Sequence, residues 1–145
     1  MKSENGQSLV ELSISILILL LLLVGSVEFG MAFFQFVQLR DAAQEGALYG
    51  SLNPDPADEA DIIARVQHSS QSPIDLLNDS GVVIDVTIIG AACEGNTSGV
   101  SNGIEVEVYF EHDVFMPFMS QIVGPTIPLR ATVTDTILSP RCPTP

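Results

Sequence analysis

From Leu12 to Val27 the chain carries no charged residue; Glu28 interrupts, and apolar character resumes through Phe29, Met31, Phe33, Phe34, Phe36 and Val37. As a helix, Leu12 to Val37 would rise roughly 39 Å, more than the hydrocarbon core of one bilayer. Gly25 and Gly30 lie inside, where membrane helices tolerate glycine, and no proline appears before Pro54. Leu39, Ala43, Gly46, Ala47 and Gly50 continue the run with a seam of small residues that allows close approach by another element. The pattern predicts one helix from about Ser8 to Gly50. Asn53-Pro54-Asp55-Pro56 ends it, because proline cannot continue a helix and restricts the residue before it.

A second, short helix is expected next. Asp55 can cap it, Pro56 suits its first position, and Asp58, Glu59 and Asp61 sit near the positive end of its dipole. Ile62, Ile63 and Val66 supply its apolar face, and the polar stretch Gln67 to Pro73 closes it. From Val82 the period changes to two. Val82, Ile84, Val86 and Ile88 share one face of a strand, and Val83, Asp85, Thr87 and Ile89 the other. A Gly-, Ser- and Asn-rich loop spans Gly90 to Gly103. Ile104, Val106, Val108 and Phe110 then alternate with Glu105, Glu107, Tyr109 and Glu111, the clearest strand in the chain. A third strand is expected from Leu129 to Ile137. One apolar and one wet face fit an antiparallel sheet packed on the long helix. Between the last two strands, Val114 to Val123 is apolar without a period. It either covers one end of the sheet or forms a subunit contact. The tail from Ser139 to Pro145 should be irregular.

Composition narrows the function. The 145 residues carry a net charge of −13 with only 5 Lys and Arg, so there is no basic patch to track a phosphate backbone and nucleic acid is not expected as a partner. His68 and His112 are far apart, and with two cysteines they do not make a zinc site. No phosphate loop or nucleophile elbow is present, so neither an enzyme nor a cofactor is expected. The sequons Asn78-Asp79-Ser80 and Asn96-Thr97-Ser98 are common by chance. Cys93 and Cys142 both lie beyond the apolar segment. If that part is outside the cytoplasm, a disulfide between them is permitted and could contribute about 4 kcal/mol by closing a loop of roughly fifty residues. Free thiols or an intermolecular bond are the alternatives.

The acidic residues of interest are the two in the apolar helix, since a charge in the bilayer interior costs roughly 2.5–3.5 kcal/mol and usually marks function. Gly6-Gln7-Ser8-Leu9-Val10-Glu11 puts a carboxylate at the mouth of the apolar run. A cut after Gly6 would make Glu11 the fifth residue. This arrangement resembles the class III signal of type IV pilins, whose prepilin peptidase cuts after glycine and leaves the apolar segment as an assembly helix. The new amine of Gln7 would lie about one turn from Glu11, where mutual pairing offsets desolvation. Two other readings stand beside it. One is an ordinary single-pass anchor with an incidental Glu11; the other is a secretory signal peptide cut near Val24-Gly25-Ser26. Glu28 lies about seventeen residues further on. It either reaches water near the outer interface or makes a polar contact to another membrane helix.

Glu28-Phe29-Gly30 after a leucine-rich run, followed by Arg40, Ala42-Ala43 and Gly46-Ala47, resembles the TadE-like pilin family of tight-adherence pilus systems. The resemblance is reasonable over about Gly6 to Ala47 and loose beyond it, and the proline-rich tail after Cys142 matches nothing in it. It implies processing by a prepilin peptidase and a role as a minor pilin or assembly factor in an adhesive surface pilus. The expected fold class is α+β, a type IV pilin-like lollipop: a long N-terminal hydrophobic helix carrying a small antiparallel sheet. Residues 1–6 would be the leader, 7–50 the helix with its membrane segment at about 12–37, and 51–145 an extracytoplasmic domain. The expected site residues are Gly6 and Gln7 for cleavage, Glu11 and Glu28 for assembly, and Cys93 with Cys142 for the disulfide. Partners would be the chain itself or other pilins, the peptidase, and the cytoplasmic membrane before export to the pilus. A membrane-resident assembly protein and a secreted binding domain are the competing functions.

Overall fold

The computed structural model describes residues 5–52, 59–89, 103–116 and 118–137. Helix α1 (Asn5–Leu52) is unbroken over 48 residues, roughly 70 Å at helical rise. It is followed by α2 (Glu59–Ser69), β1 (Val83–Ile89), β2 (Gly103–Asp113), the single turn α3 (Ser120–Val123) and β3 (Thr126–Thr136). The strands form one antiparallel sheet in the order β1-β2-β3. The architecture is the expected α+β lollipop, a long apolar helix with a small sheet domain at its C-terminal half.

Alternation in the sequence sets the register. Val86, Val106 and Val133 stand side by side across the three strands, as do Ile84, Val108 and Ala131. Their face lies against α1, where Ile104, Val106 and Val108 are buried. The opposite face is wet. Arg130 reaches Glu107 at 3.0 Å and lies 5.7 Å over the Tyr109 ring. A slip of one residue would exchange these faces and put glutamates against the helix. Pro128 lies near the start of β3, an edge strand, where a missing N–H costs no ladder bond on the open side.

The two halves of α1 differ. Residues 6–23 are exposed throughout, whereas Glu28, Ala32, Leu39, Ala42, Ala43, Gly46, Ala47 and Gly50 form a buried stripe at helical spacing. The small residues in that stripe let α2 and β2 approach closely. A Cβ on Gly46 would overlap Val66 Cγ2, and one on Gly50 would come 2.7 Å from Ile104 Cδ1 and 2.9 Å from Ile62 Cδ1. These contacts fix the direction of β2. Ile104 sits by Gly50 and Val106 by Gly46, so β2 runs back along α1 toward the apolar half.

Three details depart from expectation. Helix α2 continues to Ser69, into the stretch read as a polar terminus. Ile74 and Leu76, which follow it, are buried in the core; sequence pattern missed them because they lie in an irregular segment with no period. The strands β2 and β3 extend to Asp113 and back to Thr126, further toward the apolar connection than their alternation indicated. Asp55, Pro56, Cys93 and Cys142 lie outside the described residues, and with them the capping and disulfide expectations.

Candidate functional site

The expected site residues on α1 occupy two places about 26 Å apart along the helix, seventeen residues at 1.5 Å. Gly6, Gln7 and Glu11 are exposed in its first turns. The Glu11 backbone carbonyl accepts the Ser15 hydroxyl at 2.9 Å, and the Glu11 side chain has no partner among the described residues. Ser13 and Ser26 likewise bond the carbonyls four residues back, at 2.8 Å. These bonds satisfy the hydroxyls inside the helix, as a lipid surrounding requires. The helix is long and apolar enough to cross a membrane.

Glu28 is bound by the chain's own domain. It is only 2% exposed. His112 Nε2 lies 2.9 Å from Glu28 Oε1, the Phe115 N–H donates to Oε1 at 3.1 Å, and the Met116 N–H donates to Oε2 at 2.9 Å. His112 is 4% exposed. Both carboxylate oxygens are therefore engaged, by an imidazole on the inward face of β2 and by two successive backbone donors just beyond its end. A protonated imidazole and the neutral tautomer with hydrogen on Nε2 both donate to the carboxylate. Within the chain, both oxygens of Glu28 are satisfied without water or a second membrane helix.

His112 was missed as its partner. The signal was present: Ile104, Val106, Val108 and Phe110 place His112 next on the same inward face. A histidine continuing an apolar face into the core needs a hydrogen-bonding group across from it.

Ten residues further along α1, Gln38 makes a second clasp. Its side chain donates to the Ile74 carbonyl at 2.7 Å and accepts the Ile74 N–H at 3.0 Å, and it also donates to Ser70 Oγ at 2.9 Å. One amide thus satisfies both backbone groups of a buried loop residue, which lets Ile74 and Leu76 enter the core without a strand partner.

Beside Glu28 an open apolar cleft of about 350 Å³ lies between α1, at Phe29 and Phe33, and the β2–β3 connection, at Met119 and Val123. Phe29 and Phe33 stack at 6.1 Å. Among the described residues no group of His, Cys, Asp and Glu side chains could hold a metal ion. The arrangement is an exposed apolar rod joined to a domain by buried polar clasps.

Residues 6–48 match the family model described as TadE-like protein. The matched segment contains Gly6, Gln7, Glu11, Glu28 and Gln38 and ends within the small-residue seam. No curated protein and no solved structure matches the chain.

Proposed function

From the match of residues 6–48 to TadE-like proteins, which suggests a protein associated with a tight-adherence pilus, we propose that this chain is a pilin-like structural subunit. It is cut after Gly6 by a prepilin peptidase, held in the cytoplasmic membrane by α1 with its domain outside, and drawn into a surface pilus through the same helix. The observation that carries the reading is where the match falls. It covers one unbroken helix whose first half is bare and apolar and whose second half carries the domain. A bare helical rod is soluble in lipid and equally suited to packing among the rods of its neighbours.

Glu11 fits this reading as the counter-charge for the amine that cleavage would create at Gln7. Unpaired, a charge buried among apolar helices costs several kcal/mol, enough to disfavour each added subunit by orders of magnitude. The secretory-signal alternative requires a cut near Val24-Gly25-Ser26. That site lies in the helix interior, about one turn before the buried Glu28.

The test is N-terminal sequencing of the mature chain together with its amount in sheared surface filaments. A start at Gln7 and recovery in the filaments support the subunit reading. A start at Gln7 with the chain confined to membranes identifies a resident assembly protein instead. Glu11→Ala should leave the membrane pool intact and deplete the filament pool, and Gly6→Val should block maturation. Normal maturation of Gly6→Val would refute cleavage by a glycine-directed peptidase.

A further inference from the structure

We propose that the β2–β3 connection is a membrane foot, an apolar surface that rests in the outer leaflet of the bilayer crossed by α1. The inference rests on the membrane reading of α1 and is independent of whether the chain enters a filament.

The first observation is exposure without charge. Phe115, Phe118, Ile122 and Val123 are 81%, 72%, 63% and 47% exposed. No charged residue occurs between Asp113 and Arg130, in a chain with 18 acidic side chains. Phe118 holds a φ of 70°, a conformation that bulky side chains rarely adopt, and its ring faces solvent rather than the core.

The second observation is position. β2 runs along α1 from Ile104 beside Gly50 to His112 bonded to Glu28, so the connection leaves the sheet at the domain's membrane-proximal end. Met119 reaches furthest, with its methyl carbon 3.8 Å from where a Cβ on Gly25 would lie. From Leu12, where the charge-free run begins, to Glu28 the helix rises about 24 Å, within the roughly 30 Å hydrocarbon thickness of a bilayer. A helix seated with Leu12 at the inner boundary brings the connection into the outer leaflet.

The third observation is the backbone. Lipid supplies no hydrogen bonds, so a segment that enters it must satisfy its own donors. The N–H groups of residues 114–116, 119 and 121–124 all find acceptors within the chain, among them the Glu28 carboxylate and the carbonyls of Pro125, Phe118, Met119 and Ser120. Glu28 thereby does for this connection what water would do for an ordinary surface loop. The apolar cleft beside Phe29 and Phe33 continues the same surface along the helix.

The chain contains no tryptophan, so a single indole reports its own surroundings. Full-length Phe118→Trp and Phe115→Trp variants are reconstituted in phosphatidylcholine–phosphatidylglycerol vesicles whose lipids carry bromine either near the ester linkage or near the chain ends. Leu19→Trp marks the bilayer interior and Thr132→Trp the wet face of the sheet. Both phenylalanine variants should emit at shorter wavelength than Thr132→Trp and lose at least half their emission to the shallow bromines. The deep bromines should quench them less, and dilution into lipid should change nothing. Leu19→Trp should show the opposite depth preference. Emission like that of Thr132→Trp would overturn the foot. So would a blue shift that disappears on dilution, which would identify a second copy of the chain as the occupant. If Leu19→Trp also escapes quenching, the foot and the membrane reading of α1 fall together. The two failures are thus distinguishable, and neither depends on filament assembly.

Discussion

Glu28 Oε1 and His112 Nε2 lie 2.9 Å apart across 84 residues of sequence, joining the apolar helix to the last inward-facing residue of β2. The bond sits where the bare half of α1 meets the half that carries the domain. It ties the membrane-proximal end of the domain to the rod, as the contacts at Gly46 and Gly50 tie the far end. Breaking it should loosen the join while leaving the sheet and the far contacts at Gly46 and Gly50 in place.

Glu28→Ala removes the acceptor of His112 and of two backbone N–H groups at once. Buried donors left without an acceptor cost about 1–3 kcal/mol each. Chemical denaturation of the full chain in detergent should read a loss of at least that size. Glu28→Gln should cost less, since its amide oxygen still accepts one bond and its amide nitrogen can donate to the other imidazole tautomer. One backbone N–H is still left without an acceptor. Equal stabilities for the wild type and Glu28→Ala would mean that the clasp contributes nothing.

Two glycines of the same helix should respond to the same substitution with opposite sign. Gly46→Ala places a methyl into Val66, and overpacking of a tight core costs typically 1–3 kcal/mol. Gly30 has nothing within 4 Å of the position a Cβ would take. Gly30→Ala should therefore stabilise the helix by roughly 0.5–1 kcal/mol through the lost backbone freedom of glycine. Thermal melts of the two variants in one detergent decide the point; a parallel response would sink it.

Gln38→Leu keeps the volume of the side chain and deletes its hydrogen bonds. The N–H and carbonyl of Ile74 would then be buried without partners, at a cost of about 1–3 kcal/mol. The loss should be local. Amide exchange at residues 74–76 is expected to accelerate well before exchange in β2 does, and limited proteolysis should open the same segment.

Asp75 gives the domain an acid-sensitive turn. The Asn78 side chain, at 2.8 Å, and then the backbone N–H groups of Asn78 and Leu77 hold its carboxyl below the usual value of 3.8. A carboxyl whose folded value is depressed stabilises the fold fully above the unfolded value, and that contribution is lost as pH falls through the folded one. The turn should therefore stay intact at neutral and mildly acidic pH and weaken only below about pH 4. Asp75→Asn should flatten that part of the stability profile. A carbon-detected titration of Asp75 that returns an ordinary or raised value would contradict the mechanism.

Sequence by itself determined the rod, its bare half, the small-residue seam and the three alternating strands. Each follows from chemistry confined to one segment: a charge-free run long enough for a bilayer, glycines and alanines at helical spacing, and apolar residues at every second position. Ile104, Val106 and Val108 had to face one way and Glu105 and Glu107 the other, whatever they packed against. Sequence could also mark Glu28 as costly, because a carboxylate in an apolar run needs a partner wherever it is. Tertiary structure alone decided what that partner is. His112 and the amides of Phe115 and Met116 reach Glu28 only because β2 runs back along α1 in the register set by Ile104 at Gly50 and Val106 at Gly46. Gln38 and Ile74 meet for the same kind of reason, through an irregular segment whose burial no period announces. Hydrogen bonds between distant residues depend on the path of the whole chain between them, and alternation or helical spacing carries no record of that path.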